Sequence, residues 1–261
     1  MRPAVRRRHA VAALALAGLL PAACSRGAAG AAPKRVTVFA AASLTESFTT
    51  IARRFEAAHP GVSVRLVFGP SPDLARQIVD GAAADVYAAA SAGSVNALTA
   101  AHLVEGAPTT FARNRLELAV PASNPAGISA LADLQRPGVT FAICAVEVPC
   151  GAAAKQLLSA AHSTATPVTY ERDVKAVLAK VRLGEVDAGL VYRTDIRAES
   201  RGSGTSKVTG IDIPAAADVV NDYPIVTINR SADTSRAREF VELVLSADGR
   251  AVLTDAGFDA P

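Results

Sequence analysis

The sequence predicts an α/β protein built as two lobes, and three observations carry that expectation. Strand-like and helix-like stretches alternate along the chain, which favours a sheet with parallel neighbours and helices on its faces. The same order starts again from Leu116 onward. Four short segments then place a small or neutral residue where a helix opens after a strand or strand-leading loop: Ala42–Glu46, Pro70–Asp73, Val148–Gly151 and Arg172–Lys175. In open α/β sheets, ligands sit at the carboxyl ends of strands.

Taken in order, Val36–Ala40 reads as a buried strand, and Leu44, Phe48, Ile51, Ala52 and Phe55 follow helical spacing. His59-Pro60-Gly61 stops that helix. Val62, Val64, Leu66 and Phe68 alternate as a second strand. A helix from about Pro72 to Asp80 meets Gly81 as its stop, and Asp85–Ala88 is a third strand. Further on, Leu116–Val120 and Val139–Cys144 read as strands, Gly151–Ala161 and Val174–Arg182 as helices, and Val186–Tyr192 as a strand. Arg201–Ser206 has loop composition. Tyr223–Ile228 is a strand, and Arg236–Leu245 and Arg250–Thr254 are closing helices.

The chain has 261 residues, half of them apolar and none of them Trp, so its core is built mainly from Val, Leu, Ile and Ala. The net charge of +3 is concentrated at the start, where Arg2, Arg6, Arg7 and Arg8 precede the apolar run Val11–Leu20. With those four arginines set aside, 23 basic side chains face 24 acidic ones, and a near-neutral body gives no electrostatic case for nucleic acid. The basic stretch, the short apolar run and Leu20-Pro21-Ala22-Ala23-Cys24 together look like an exported lipoprotein signal, with lipidation at Cys24 and Pro21 as a departure from the usual Leu. Arg6-Arg7-Arg8 also suits twin-arginine export. Residues 1–23 are thus read as signal peptide and 24–33 as a lipid-anchored tether rich in Ser, Gly, Ala and Pro. No later segment is apolar for long enough to cross a bilayer. Export permits a disulfide between Cys144 and Cys150; two thiols with no His nearby do not make a metal site.

The helix starts suggest a chemistry. First-turn N–H groups have no intrahelical acceptor and lie at the positive end of the helix dipole, so several of them aimed at one point would hold an anion without a cationic side chain. Ser43 reads as a cap, with Glu46 completing a capping box, and its hydroxyl and N–H are also placed to meet a bound oxygen. Ser71 lies between Pro70 and Pro72, which lack amide donors, so its own N–H and hydroxyl are the local donors; Asp73 would repel an anion if it pointed inward. Cys150 offers its N–H whatever its sulfur does. Val174 follows Asp173, a natural N-cap, and so offers a first-turn N–H. Tyr192 ends an apolar strand, as a core ring or as a phenol donor.

On Val38–Thr45, Leu74–Ile78, Gly81–Tyr87, Val148–Gly151, Asp173–Val174, Asp187–Tyr192 and Tyr223–Val226, the chain resembles the periplasmic molybdate-binding proteins, the substrate-binding subunits of molybdate ABC importers. The resemblance runs from Val36 to Phe258. It implies a type II two-lobe periplasmic-binding-protein fold, each lobe a mixed sheet flanked by helices, with the ligand in the cleft. Lobe 1 would hold residues 34–115 plus 225–261 and lobe 2 residues 116–224, with the strands near Leu116–Val120 and Tyr223–Ile228 as crossovers and hinge. It further implies binding of molybdate or tungstate by Ser43, Ser71, Cys150, Val174 and Tyr192, with no cofactor and no cation site. Delivery by a monomer to a membrane permease follows, at the outer face of the cell membrane. Pro70, Pro72 and Asp73 stand where the family usually has Ser, Gly or Thr, and Cys150 where it often has Ala.

Other readings make different demands. A receptor for sulfate or thiosulfate would use the same donors. Iron capture needs several Tyr, His or carboxylate oxygens on one ion, whereas the tyrosines at 87, 170, 192 and 223 are scattered. A secreted Ser hydrolase needs a base for its Ser. His9, His59, His102 and His162 lie in the signal or near predicted helix ends and turns, and there is no Gly-x-Ser-x-Gly elbow. The expectation is therefore a binding protein and not an enzyme.

Overall fold

The first strand, β1 (Lys34–Ala41), is packed on both faces: Val36, Val38 and Ala40 join one apolar cluster and Phe39 another. Double burial explains why it reads as an apolar run without alternation. The computed structural model describes residues 34–202 and 204–261; the expected signal, the tether and Cys24 lie outside them. β1 passes through a 3-10 turn (Ala42–Leu44) into α1 (Thr45–Ala58), which buries Phe48, Ile51, Ala52 and Phe55 as the spacing predicts. β2 (Val62–Gly69), α2 (Ser71–Val79), β3 (Val86–Ala88) and α3 (Gly93–Ala100) follow, with β2 and β3 pairing parallel on either side of β1.

β4 (Val104–Pro121) comes next, then β5 (Phe141–Cys144), α4 (Pro149–Ala160), β6 (Thr169–Glu171) and α5 (Val174–Leu183). After them come β7 (Ala188–Tyr192), α6 (Arg193–Arg201), β8 (Val208–Ile211), β9 (Val220–Ile228), α7 (Thr234–Leu245) and α8 (Ala247–Ala256). The sheet order is β2-β1-β3-β9-β4-β7-β5-β6, with β8 also paired to β4. It is mixed: β5 runs parallel to β6 and β7, whereas β9 is antiparallel to β3 and β4. Helix α5 closes on Gly184, whose φ of 68° lies in the left-handed region that a helix C-cap glycine adopts.

One apolar cluster is drawn entirely from residues 116–219, and the other two from residues 36–112 and 223–258. The long pair β4·β9 runs between them, with Val104–Arg115 opposite Val220–Ile228.

Several elements differ from the expectation. β4 begins twelve residues before Leu116, because Gly106 and Pro108 hide the strand pattern; the ladder shifts register between Glu105 and Thr109 and again between Thr110 and Ala112. The helix α6 is nearly all polar and buries only Thr194, Asp195 and Ile196, so it carries no apolar stripe to read. Helix α3 and the short strands β6 and β8 were likewise not foreseen. Ser43 is not the cap of α1: it lies inside the 3-10 turn, Leu44 precedes the helix, and no side chain caps it.

Candidate functional site

The four helix starts meet. One cavity of about 20 Å³ is lined by Ser43, Ser71, Cys150, Val174 and Tyr192, together with small residues such as Ala42, Gly69 and Ala90. Two wider grooves, of about 430 and 400 Å³, adjoin it, the first sharing Val148 and Pro149 with it and the second Ser43. Pockets for organic ligands run to about 300–1,000 Å³, so the small cavity suits a single compact ion. Among the described residues no Lys, Arg or His lines it, and the one carboxylate that does belongs to Asp173. That carboxylate is turned to its own helix, accepting from the Ala176 N–H at 3.0 Å. Asp73 is not in the lining; it faces Arg76 at 3.0 Å on the surface.

Backbone hydrogen bonding decides which donors remain. In α4, the Gly151 and Ala152 N–H groups both donate to the Val148 carbonyl, and Pro149 has no N–H, which leaves that of Cys150. In α5, the Asp173 carboxylate and carbonyl take Ala176 and Val177, leaving Val174 and Lys175. In α2, Leu74 donates to Pro70, and Pro72 has no N–H, leaving Ser71 and Asp73. The start of α4 is seated by Gly151: a Cβ there would lie 1.9 Å from the Ala145 carbonyl oxygen. Cys150 is also tied to Cys144 at the end of β5 by a disulfide with Cα atoms 5.7 Å apart. The sequence permitted that bond, and the structure forms it.

The hydroxyls are equally organised. Ser71 Oγ accepts from the Ala90 N–H at 3.1 Å, so its own proton remains to be given. Ser43 Oγ lies 2.8 Å from the Tyr223 phenol oxygen. The Asn114 amide is oriented by the Arg115 N–H on its Oδ1, so its Nδ2 faces Thr194 at 2.9 Å and the Tyr223 oxygen at 3.5 Å. An amide nitrogen only donates. Either oxygen of the Ser43–Tyr223 pair can donate; when Tyr223 gives its proton to Ser43, the Ser43 proton is left for the cavity. The Tyr192 hydroxyl is wholly buried and, among the described residues, has no hydrogen-bond partner. A buried orphan of this kind costs about 1–3 kcal/mol unless something meets it. Burial raises the pKa of Tyr192 and of Tyr223, so both phenols remain protonated donors in neutral water.

Sequence reasoning assigned no role to Tyr223, Asn114, Lys175 or Asp195. Tyr223 and Lys175 lay within quoted segments, but only the tertiary contacts reveal what they touch. Lys175 Nζ is 2.8 Å from Glu46 and 3.0 Å from the buried Asp195, whose other oxygen accepts from the Tyr192 N–H at 3.1 Å. Burial raises the Asp195 pKa. Burial alone would lower that of Lys175, but its two carboxylate partners outweigh the effect and raise it.

A family model for bacterial extracellular solute-binding proteins matches residues 36–259. The chain belongs to that family. This solute-binding protein is 40% identical over 258 residues to the Mycobacterium tuberculosis molybdate-binding protein ModA, with 96% of each chain covered. It is 29% identical over 261 residues to Haemophilus influenzae ModA, with 95% and 96% covered. Among solved structures, the Azotobacter vinelandii periplasmic molybdate-binding protein matches with a TM-score of 0.76 at 20% identity, over 87% of this chain and 99% of that one. The sulfate-binding protein SubI of Mycobacterium tuberculosis matches at 0.75 and 18%, over 87% of each chain. At such identities these structures speak to the fold, which is that of the periplasmic binding proteins.

Proposed function

We propose that this protein captures molybdate or tungstate outside the cell and hands it to the permease of an ABC importer. One observation carries the reading: first-turn amides, two serine hydroxyls and an unpartnered phenol line one ion-sized cavity that has no cationic side chain. A guest that is already a dianion is matched by neutral dipolar donors. A cavity that only donates disfavours oxyanions that keep a proton, because their hydroxyl needs an acceptor. The 40% identity to a named molybdate-binding protein supports the same ligand. In this reading the guest is carried and not transformed, and among the described residues no His or Lys lines the cavity beside either serine.

In this reading, residues 34–115 with 225–261 form one lobe and residues 116–224 the other, and β4 and β9 are the hinge. The membership of the apolar clusters supports that division at every residue but Tyr223, which packs with the first lobe. Closure buries the guest, and the permease recognises the closed form. The carrier acts as a monomer tethered through lipid on Cys24. The test is thermal unfolding with millimolar oxyanions. Ligand at a hundredfold over its Kd adds about 2.7 kcal/mol, so molybdate and tungstate raise Tm while sulfate does not. No shift with either metal oxyanion refutes the reading, and a larger shift with sulfate reassigns the ligand.

A further inference from the structure

Three helix starts bring charged side chains to one point beside the cavity. Glu46 is in the first turn of α1, Lys175 in the first turn of α5 and Asp195 in the first turn of α6. Lys175 Nζ donates to both Glu46 oxygens, at 2.8 and 2.9 Å, and lies 3.0 Å from Asp195 Oδ1. Nothing local explains this lysine, because a cation at a helix N-terminus is opposed by the helix dipole. Nor does Glu46 complete the capping box available to it; its carboxylate reaches a residue 129 positions away.

The three charges are joined to three of the five donor segments. Glu46 is three residues after Ser43. Lys175 directly follows Val174. Asp195 holds the Tyr192 backbone N–H. The two contacts of Lys175 are also unequal. Asp195 is fully buried and belongs to the same stretch, 116–224, whereas Glu46 is half exposed and comes from the other side of the β4·β9 pair.

We propose that the Glu46–Lys175 pair is a latch that holds the cleft closed over its guest, and that Lys175, neutralised against Asp195, is the positioning residue that carries it. The proposal rests on the oxyanion reading above. Separating Ser43 from Val174 and Tyr192 breaks Glu46–Lys175 and leaves Lys175–Asp195 intact, so the latch acts on release more than on capture. Affinity differences of this kind appear mainly in koff.

The test is the release of radiolabelled molybdate from loaded protein into excess unlabelled molybdate, with association measured in parallel. Glu46→Gln is expected to release about three- to tenfold faster, the upper end of what partly exposed ion pairs contribute, with kon within about twofold and the unliganded Tm unchanged. Lys175→Met is expected to release faster still, and Lys175→Arg to recover most of the retention. Should wild type retain no molybdate, the oxyanion reading falls and the latch with it. Should wild type retain it while Glu46→Gln releases at the wild-type rate, the latch alone is overturned.

Discussion

Tyr223, on the strand that runs between the two halves of the sheet, holds the Ser43 hydroxyl at 2.8 Å, with the Asn114 amide behind it. Removal of the Tyr223 hydroxyl leaves Ser43 without its orienting partner. Tyr223→Phe is therefore expected to weaken molybdate binding about tenfold. Ser43→Ala is expected to weaken it by about ten- to a hundredfold, the worth of one hydrogen bond to a charged group. Because Ser43 is no helix cap, the unliganded Ser43→Ala protein loses only about 1 kcal/mol, that of its bond to Tyr223. Calorimetric titration and thermal melts of both variants check this pair of numbers.

Tyr192→Phe separates binding from stability more sharply. Its hydroxyl meets no partner in the wholly buried site, so its removal deletes an unsatisfied group. The unliganded variant is expected to melt at or above the wild-type temperature while affinity falls by about ten- to a hundredfold. A variant that melts lower and binds normally would make Tyr192 a core residue and nothing more.

Gly151 is the steric seat of the α4 start. An added methyl would meet the backbone of Cys144 and Ala145, which no side-chain rotation relieves. Gly151→Ala is expected to shift the α4 N-terminus, lower Tm and abolish high-affinity binding, because the Cys150 amide moves with it. Thermal melts with and without molybdate read both effects.

The Cys144–Cys150 bond closes a short loop, for which the chain-entropy model gives about 2 kcal/mol. Replacement of both cysteines by Ser is expected to lower stability by about that amount and to weaken binding, since the bond ties the Cys150 amide to the end of β5. The same losses in reduced wild type would assign them to the bond and not to the substituted side chains.

Alkaline pH gives a further check. Burial raises the pKa of Tyr87, Tyr192 and Tyr223 above the ordinary 10.0. Above pH 10 the unfolded chain loses these protons while the folded chain keeps them, so stability falls as pH rises past that value. Below it the three phenols contribute no pH dependence. Denaturant unfolding across the alkaline range is expected to show this fall, with a shallower slope in Tyr192→Phe.

The alternating apolar pattern, the Gly and Pro stops and the residues at helix starts are local signals, and they place β1, α1, β2, α4 and α5 and name five candidate donors. They do so because periodicity and capping are properties of neighbouring residues. What they could not carry was anything set by partners distant in the chain. Glu46 had the spacing of a capping box and instead pairs with Lys175, and Ser43 had the spacing of a cap and instead bonds Tyr223. The polar helix α6 and the Gly- and Pro-broken first half of β4 exist because packing and strand pairing supply what their own residues lack. The sequence alone thus determined the candidate donors and the elements that bear them. Only the tertiary structure decided that these donors face one cavity and which of their protons remain free, because both depend on contacts between residues far apart in sequence.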